Sequence, residues 1–286
     1  MFLSADPHTR TSRNLTGDEG AHWYTADGHP QHTVTGSDGQ KRNTTLRDAR
    51  KLRLYPSVSA ITKMIPNPSL ERWKQEQIIN AAIAARANQS LKDDEYARYV
   101  MAQSRRKMVD ARAFGSLFHE AVETIAKTGV LFDVKFDPVR EHVIRYLQWA
   151  KDVKLSVLRS EFTAVHHSVG YAGQVDMFAR CEGKQTLLDF KTQNITVQQP
   201  TIDDVNVYDS WGMQLAAYWN AEWDGKPKRM PVIMSVIIPS ETASYPIVKV
   251  WSKAEIDRAW ATFKTCARLW QQTKDYYPAK ENNNPF

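Results

Sequence analysis

Two aspartates and a lysine stand on neighbouring strand-like segments of the sequence. Side chains two residues apart on a strand point to the same face, so Asp189 and Lys191 in the run TLLDFKT project together. Asp176 lies on the preceding segment, and the short Glu-Gly turn between the segments lets them pair. Gly173 leaves room nearby for a backbone or a substrate. Both carboxylates are therefore expected to meet at one point, beside an ammonium group.

This combination suits the hydrolysis of a phosphodiester. Two carboxylates hold a hard divalent cation through oxygen, and the cation lowers the pKa of a bound water. A neighbouring lysine can orient that water or stabilise charge on the phosphoryl oxygens. The plainer alternative is an exposed ion pair between Asp189 and Lys191, since a DxK triplet alone is common. The apolar residues around the pair argue against that alternative.

The pattern of apolar residues and turns predicts the elements that position this cluster. After residue 55 we expect helices, three strands across residues 155–192, a helix, two strands and a final helix. This order predicts an α+β fold, with helices flanking a central mixed sheet that contains a three-strand antiparallel meander, and with a helical part before the sheet. Residues 1–50 are interpreted as a polar N-terminal arm or a small β extension with little core, and residues 51–286 as one domain.

Four features of the helices are specific enough to test. Residues 69–87 should form one long helix with an apolar side made of Leu70, Trp73, Ile78, Ala81 and Ile83. The next segment is expected to be helical in two pieces up to Gly129. A further helix should start with Asp137 as its cap. The last helix opens with Ser252 and Glu255 at the spacing of a capping box.

Four short motifs follow one another within residues 55–270: FGSLFHEAVE, then GQVD, then LLDFKT, then GMQLAAYWNA. Together they resemble the PD-(D/E)xK nucleases, and more narrowly the RecB-type exonuclease branch with its G-x-x-x-H and Q-x-x-x-Y motifs. The matching residues are Gly115, His119, Asp176, Asp189, Lys191, Gln214 and Tyr218. YPSVSAIT before LERW also resembles the leader of phage-encoded and mitochondrial genome maintenance exonucleases. The resemblance implies a restriction-endonuclease-like core.

The resemblance implies a metal centre. By this likeness His119, Asp176 and Asp189 bind Mg²⁺ or Mn²⁺, and Lys191 assists the attacking water. A single histidine on a helix is more often a surface or core residue, so the role of His119 depends on the order of the motifs. Glu123, one helical turn further along the same face, is expected to orient the imidazole ring.

Three further residues keep more than one interpretation. The family often has a glutamate at the position of Glu161, as an extra ligand or as a residue that orients the lysine, whereas an exposed strand residue is equally consistent. Gln214 and Tyr218 lie one turn apart on a helix. The resemblance implies that these two residues support the catalytic lysine and the nucleic-acid backbone. The alternative for Tyr218 is that it packs into the core.

The implied function is that of a metal-dependent deoxyribonuclease. An exonuclease acting on DNA ends or single strands in phage replication, recombination or repair is favoured, with a single-strand annealing or recombination protein as a further partner. Two alternatives stay open. One is a nuclease-fold protein that binds DNA or a partner without cutting, which would not need the complete Asp-Asp-Lys set. The other is an endonuclease on the same fold.

The composition agrees with a nucleic-acid partner without requiring one. A net charge of +6 favours a polyanion, although a merely basic protein is equally consistent. Cys181 and Cys266 form no CxxC pair, so neither a zinc site nor an iron–sulfur cluster is expected. Lone thiols and a start without an apolar segment indicate the cytoplasm, in a bacterial or phage-infected cell. The longest apolar stretch, residues 232–238, is too short for a membrane span.

Aromatic and basic residues give weaker signals. Five tryptophans could stack on the bases of a single strand, although burial is the commoner role: Trp73, Trp211, Trp219, Trp251 and Trp260. Basic runs at 105–107 and 47–53 could contact phosphate, although a solvated surface is the commoner explanation. No motif supports the remaining histidines, which are His8, His22, His29, His32, His142, His166 and His167.

Overall fold

The structure, a computed structural model, describes residues 22–88, 92–130, 133–222 and 229–279. Its helices are α1 Leu46–Leu52, α2 Val58–Thr62, α3 Pro68–Ala84, α4 Asp93–Thr128, α5 Arg140–Asp152, α6 Asp209–Glu222 and α7 Lys253–Lys274. Its strands are β1 Trp23–Tyr24, β2 Thr33–Thr35, β3 Lys41–Asn43, β4 Tyr55–Pro56, β5 Ser156–His166, β6 Tyr171–Cys181, β7 Lys184–Gln193, β8 Val232–Pro239 and β9 Ile247–Trp251. The predicted α+β class is confirmed.

Five strands form the central sheet, in the order β5-β6-β7-β8-β9. β5, β6 and β7 pair antiparallel as a meander, as predicted. β7 then pairs parallel with β8, and β9 returns antiparallel. A parallel pair needs a crossover connection, and α6 lies within it. The mixed sheet thus follows from placing one helix between the three-strand meander and the β8-β9 pair.

Apolar side chains on the two faces of the sheet form two cores. On one face, Leu187 of β7 joins a cluster that includes Phe263 of α7. On the other face, Leu188 and Phe190 pack with Phe118 of α4. Alternate residues of β7 therefore lie in alternate cores, as the strand period predicts. Helices cover both faces at the level of the candidate site.

The helical part before the sheet differs from the prediction in two ways. α4 is one continuous helix rather than two pieces, and it ends at Gly129, whose φ of +74° suits a glycine. α3 contributes no buried residue. Leu70, Ile78 and Ile83, expected on a buried side, are exposed because α3 packs mainly along α4 and, among the described residues, leaves much of its surface to solvent.

Helix caps account for where α5 and α7 begin. Asp133 caps a short 3-10 turn, and α5 starts only at Arg140, so the predicted cap at Asp137 is wrong. The reason is that the proline of this segment lies inside the 3-10 turn rather than in the first turn of α5. Ser252 and Glu255 form the predicted capping box of α7.

The segment from residue 22 to 50 packs on the main domain. β1 pairs with β4. Trp23 is buried, with its ring 6.0 Å from that of Trp270 and 6.2 Å from that of Tyr276. This segment therefore adds more core than its polar composition indicated. The boundary at residue 50 stays a prediction, and residues 1–21, with His8, lie outside the described part. In the described ranges, no helix combines the length and the apolar character needed to cross a membrane.

Candidate metal and active site

The two aspartates lie where the pairing of β6 and β7 stops. The described ladder runs from Cys181 and Lys184 to Met177 and Leu188. The next residue of β6 is Asp176, whose Oδ2 accepts a hydrogen bond from the backbone N–H of Phe190 at 2.7 Å. A side chain thus takes the place of a backbone partner. This substitution holds the carboxylate of Asp176 against the strand that carries Asp189.

Asp189 is almost completely buried. It is 1% exposed, and Lys191 Nζ lies 2.6 Å from its Oδ2. Apart from this ion pair, neither oxygen of Asp189 accepts a well-directed hydrogen bond from any described residue. Burial raises the pKa of the Asp189 carboxyl to about 6, although Lys191 acts to lower it. An exposed surface pair, the plainer alternative from the sequence, is therefore wrong.

Three possible ligands come together beside this pair. His119 of α4, Glu161 of β5 and Asp176 offer ligand atoms that all lie within 4.8 Å of one another. His119 Nδ1 is 3.7 Å from Asp176 Oδ2 and 3.9 Å from Glu161 Oε1. Asp189 is not a member of this group. The expected ligands His119 and Asp176 are thus together, with Glu161 added and Asp189 deeper in the sheet.

These residues fit a divalent cation. Two carboxylates and one imidazole are ligands that Mg²⁺ and, with the softer nitrogen, Mn²⁺ accept. Half-buried carboxylates this close to one another repel, and a cation would relieve that repulsion. Asp189 adds a buried carboxylate without a full set of partners. The set therefore has the charge and the atom types of a metal centre.

Glu161 occupies an irregular point of β5. Its neighbours Ser160 and Phe162 are paired with β6, whereas Glu161 itself has no paired partner in the described register. Its φ is +46°, in the left-handed region that residues other than glycine rarely adopt. Gln174 Nε2 donates to Glu161 Oε2 at 2.5 Å. Strained backbone of this kind concentrates at functional sites, which favours the ligand interpretation over that of an ordinary strand residue.

The carboxylates set the protonation of the histidine. Burial acts to lower the pKa of His119, but nearby carboxylates, Asp176 foremost, outweigh it and raise the pKa to about 9. Burial raises the pKa of Asp176, against the opposing effect of His119. His119 is therefore a cation when no metal is bound, and it must lose its proton to become a ligand.

A short chain of hydrogen bonds fixes the lysine. Lys191 Nζ donates to Gln214 Oε1 at 2.8 Å, and Gln214 Nε2 donates to Tyr218 Oη at 2.8 Å. Tyr218 is buried among core residues. A Cβ at Gly173 would lie 2.6 Å from the Tyr218 ring, so this ring occupies the space that was predicted for a backbone or a substrate. Gln214 and Tyr218 thus support Lys191, and Tyr218 is not placed to touch a nucleic-acid backbone.

The glycine of the first motif lets α4 approach β7. A Cβ at Gly115 would lie 2.9 Å from the hydroxyl oxygen of Thr192. A side chain there would push the helix away from the strand end. Gly115 therefore brings His119, one turn further along α4, within reach of β6.

A cavity of about 600 Å³ opens over the ligand group. Its lining includes residues that the motifs did not indicate, among them Arg112 and His22. Arg112 could have been found from its position two helical turns before His119, whereas His22 is far away in sequence and only the fold brings it near. Glu123 also lines the cavity, but it accepts a hydrogen bond from Lys127, so its expected role in orienting His119 is not supported.

The other candidate residues lie elsewhere. None of the remaining described histidines lines the cavity: His29, His32, His142, His166 and His167. Trp211 and Trp251 are buried, and Trp219 and Trp260 pack against the same core, as the commoner interpretation of tryptophan predicts. Trp73 is half-buried on α3. Cys181 and Cys266 lie in different cores.

Comparisons with known proteins add little. No protein-family model and no curated protein matches this chain. The crystal structure of a candidate exonuclease from Eubacterium rectale is partly similar, with 11% sequence identity over 58% of this chain and 67% of that chain, and a TM-score of 0.40. A likeness this weak says nothing about the activity of this chain.

Proposed function

We propose that this chain is a divalent-metal-dependent deoxyribonuclease. The observation that carries the proposal is the meeting of His119, Glu161 and Asp176 within 4.8 Å, next to the buried pair of Asp189 and Lys191. Burying charged groups costs several kcal/mol for each ion. Such a cluster therefore needs a reason other than stability, and hydrolysis of a charged phosphodiester supplies one.

Each residue then has a role. His119, Asp176 and Asp189 hold the metal, with Glu161 as a further ligand. A divalent cation bound there supplies a water of lowered pKa and offsets negative charge on the phosphoryl oxygens. Lys191 presents its ammonium group to that charge.

The lysine is held in place before the substrate arrives. Gln214 accepts from Lys191, and Tyr218 accepts from Gln214. A side chain with four rotatable bonds loses less freedom on reaching the transition state when it is already fixed in this way. Lys191→Met should therefore remove most of the hydrolysis while leaving metal binding intact.

Two more detailed proposals concern where on the DNA cleavage begins and which metal supports it. We favour digestion from DNA ends because the order of the motifs resembles that of the RecB-type exonucleases. We also expect at least as much activity with Mn²⁺ as with Mg²⁺, since an imidazole ligand raises the relative affinity for the softer ion.

A gel assay tests both levels of the proposal. The purified protein should degrade linear duplex DNA in Mn²⁺ or Mg²⁺, leave closed circular DNA intact and do nothing in EDTA. Nicking of the closed circle would instead assign an endonuclease on the same site. DNA binding without hydrolysis in either metal would reject the nuclease and leave a binding protein.

A further inference from the structure

A row of arginines runs along α4 towards the candidate site. Arg98, Arg105 and Arg112 follow one another at intervals of seven residues, and His119 comes seven residues later. Seven residues make two turns of an α-helix with a drift of about 20°. These residues therefore lie along one side of the helix. We call Arg98, Arg105 and Arg112 the arginine stripe.

The arginine stripe faces away from the neighbouring helix. Val100 and Ser104, which lie on the opposite side of α4, are buried. Tyr96 donates its hydroxyl to the carbonyl oxygen of Ala82 on α3. All three arginines are exposed, and Arg112 also lines the cavity that holds His119. The stripe is thus an open surface that leads into the site.

The charge along this part of α4 is strongly one-sided. Residues 96–118 contain five basic residues and one acidic residue, Asp110. Asp110 lies 4.0 Å from Arg106, which is outside the stripe. Within the described ranges, no ion pair involves Arg98 or Arg105. Exposed Met101 and Val109 flank the stripe and offer apolar contact to sugars and bases. This surface matches a polyanion that also carries apolar groups.

We propose that the arginine stripe binds the phosphate backbone of a DNA strand and guides it to the candidate site. This proposal rests on the proposed nuclease function. From Arg98 to His119 the helix rises by about 32 Å. With about 3.4 Å of rise per nucleotide in one strand of duplex DNA, the stripe spans about nine nucleotides, and neighbouring arginines lie about three nucleotides apart.

The test is a comparison of two double variants in a binding assay without hydrolysis. Arg98→Ala with Arg105→Ala removes two charges from the stripe. Arg106→Ala with Lys107→Ala removes two charges from the same helix but off the stripe. Alanine favours helix, so both variants should keep the fold, which circular dichroism checks. Binding is measured in EDTA by fluorescence anisotropy, with a labelled DNA duplex of about 20 base pairs, about twice the length of the stripe.

The stripe variant should bind about tenfold more weakly at low salt, and the slope of log affinity against log salt should fall by about two. The control variant should lose at most half as much. Equal losses in the two variants would overturn the proposal, and so would a wild-type protein that binds no DNA. A protein that binds with the expected difference but never hydrolyses DNA in Mn²⁺ would support the stripe and reject the nuclease.

Discussion

Around the candidate site, charged side chains lie inside the protein, whereas along α3 and the first half of α4 they lie on its surface. Asp189 is 1% exposed. Arg98 and Arg105 are exposed, and α3 buries no residue at all. A buried charge costs several kcal/mol even when it is paired, while an exposed charge changes stability by less than about 1 kcal/mol. Under the proposed function, the first region loses some stability in return for chemistry, and the second attracts DNA through the sum of many weak charges.

The largest expected effect comes from Asp189→Asn. Loss of a charged group from the metal site should slow DNA hydrolysis by roughly 10³- to 10⁴-fold, which corresponds to several kcal/mol of barrier. The same change leaves Lys191 without the carboxylate that lies 2.6 Å from its ammonium group, and removing one partner of a buried ion pair is destabilising. It should therefore lower the midpoint of thermal unfolding in EDTA by at least about 2–4 °C, the shift that about 1 kcal/mol produces in a chain of this size.

Asp203→Asn is the control for this prediction, because Asp203 is an exposed aspartate outside the site. It should change neither rate nor unfolding temperature. The assignment of the site fails if Asp189→Asn digests linear DNA at the wild-type rate.

A pair of helix substitutions compares the packing of the two regions. Phe118 of α4 is completely buried beside the sheet, whereas Ile79 of α3 is 58% exposed. Phe118→Ala should lower the free energy of unfolding by about 3–5 kcal/mol, because it leaves a cavity in the core. Ile79→Ala should change it by less than about 0.5 kcal/mol. Urea unfolding of both variants measures the difference, and similar losses would contradict the exposed position of Ile79 on α3.

His119→Ala should give an intermediate effect that depends on metal concentration. One of several ligands is lost, so the rate should fall about tenfold or more at low Mn²⁺ and partly recover as Mn²⁺ is raised. Glu123→Gln is the matched control on the same face of α4, since Glu123 is held by Lys127. If the curves of rate against Mn²⁺ concentration coincide for wild type and His119→Ala, His119 is only a packed helix residue and not a metal ligand.

The smallest effect concerns Glu255, an ion-paired carboxylate near the surface that stabilises the folded protein. Hydrogen bonds from Lys249 and from the backbone N–H of Ser252 lower the pKa of Glu255 to about 2. A lowered pKa stabilises the folded protein above the ordinary pKa of about 4.5, and this stabilisation disappears as pH falls towards 2. Glu255→Gln should therefore lower stability by less than about 1 kcal/mol at pH 7.

Thermal unfolding at pH 7 and pH 3 measures this difference between Glu255→Gln and wild type. The gap should narrow at the lower pH. A gap that widens on acidification would contradict the role of the ionised carboxylate.

Local patterns in the sequence predicted much of this molecule. Strand alternation placed Leu188 and Phe190 in one core, and capping-box spacing located the start of α7. The order of the motifs indicated that Asp176 and His119 would meet. Patterns of this kind depend on residues a few positions apart, which local geometry controls.

The rest depends on contacts that no local pattern encodes. The sequence left the role of Glu161 open, because its place beside His119 and Asp176 depends on an irregular point of β5, where Glu161 has a left-handed φ and no paired partner in β6. The apolar spacing on α3 suggested a buried side, yet within the described part of the chain no residue of this helix is buried and its main contacts are with α4. The sequence could not decide whether Tyr218 is buried, because its burial shows only in the close approach of Gly173 to its ring. These outcomes are set by tertiary packing.

The most direct test of the central claim is to locate Mn²⁺ in crystals soaked with that ion, by its anomalous scattering. We predict a strong peak between His119, Glu161 and Asp176, on the side of the cavity and next to the buried carboxylate of Asp189. The peak should be absent in crystals of a protein that carries Asp176→Asn and His119→Ala together. Crystals of an active protein that show no Mn²⁺ at this position would contradict the account.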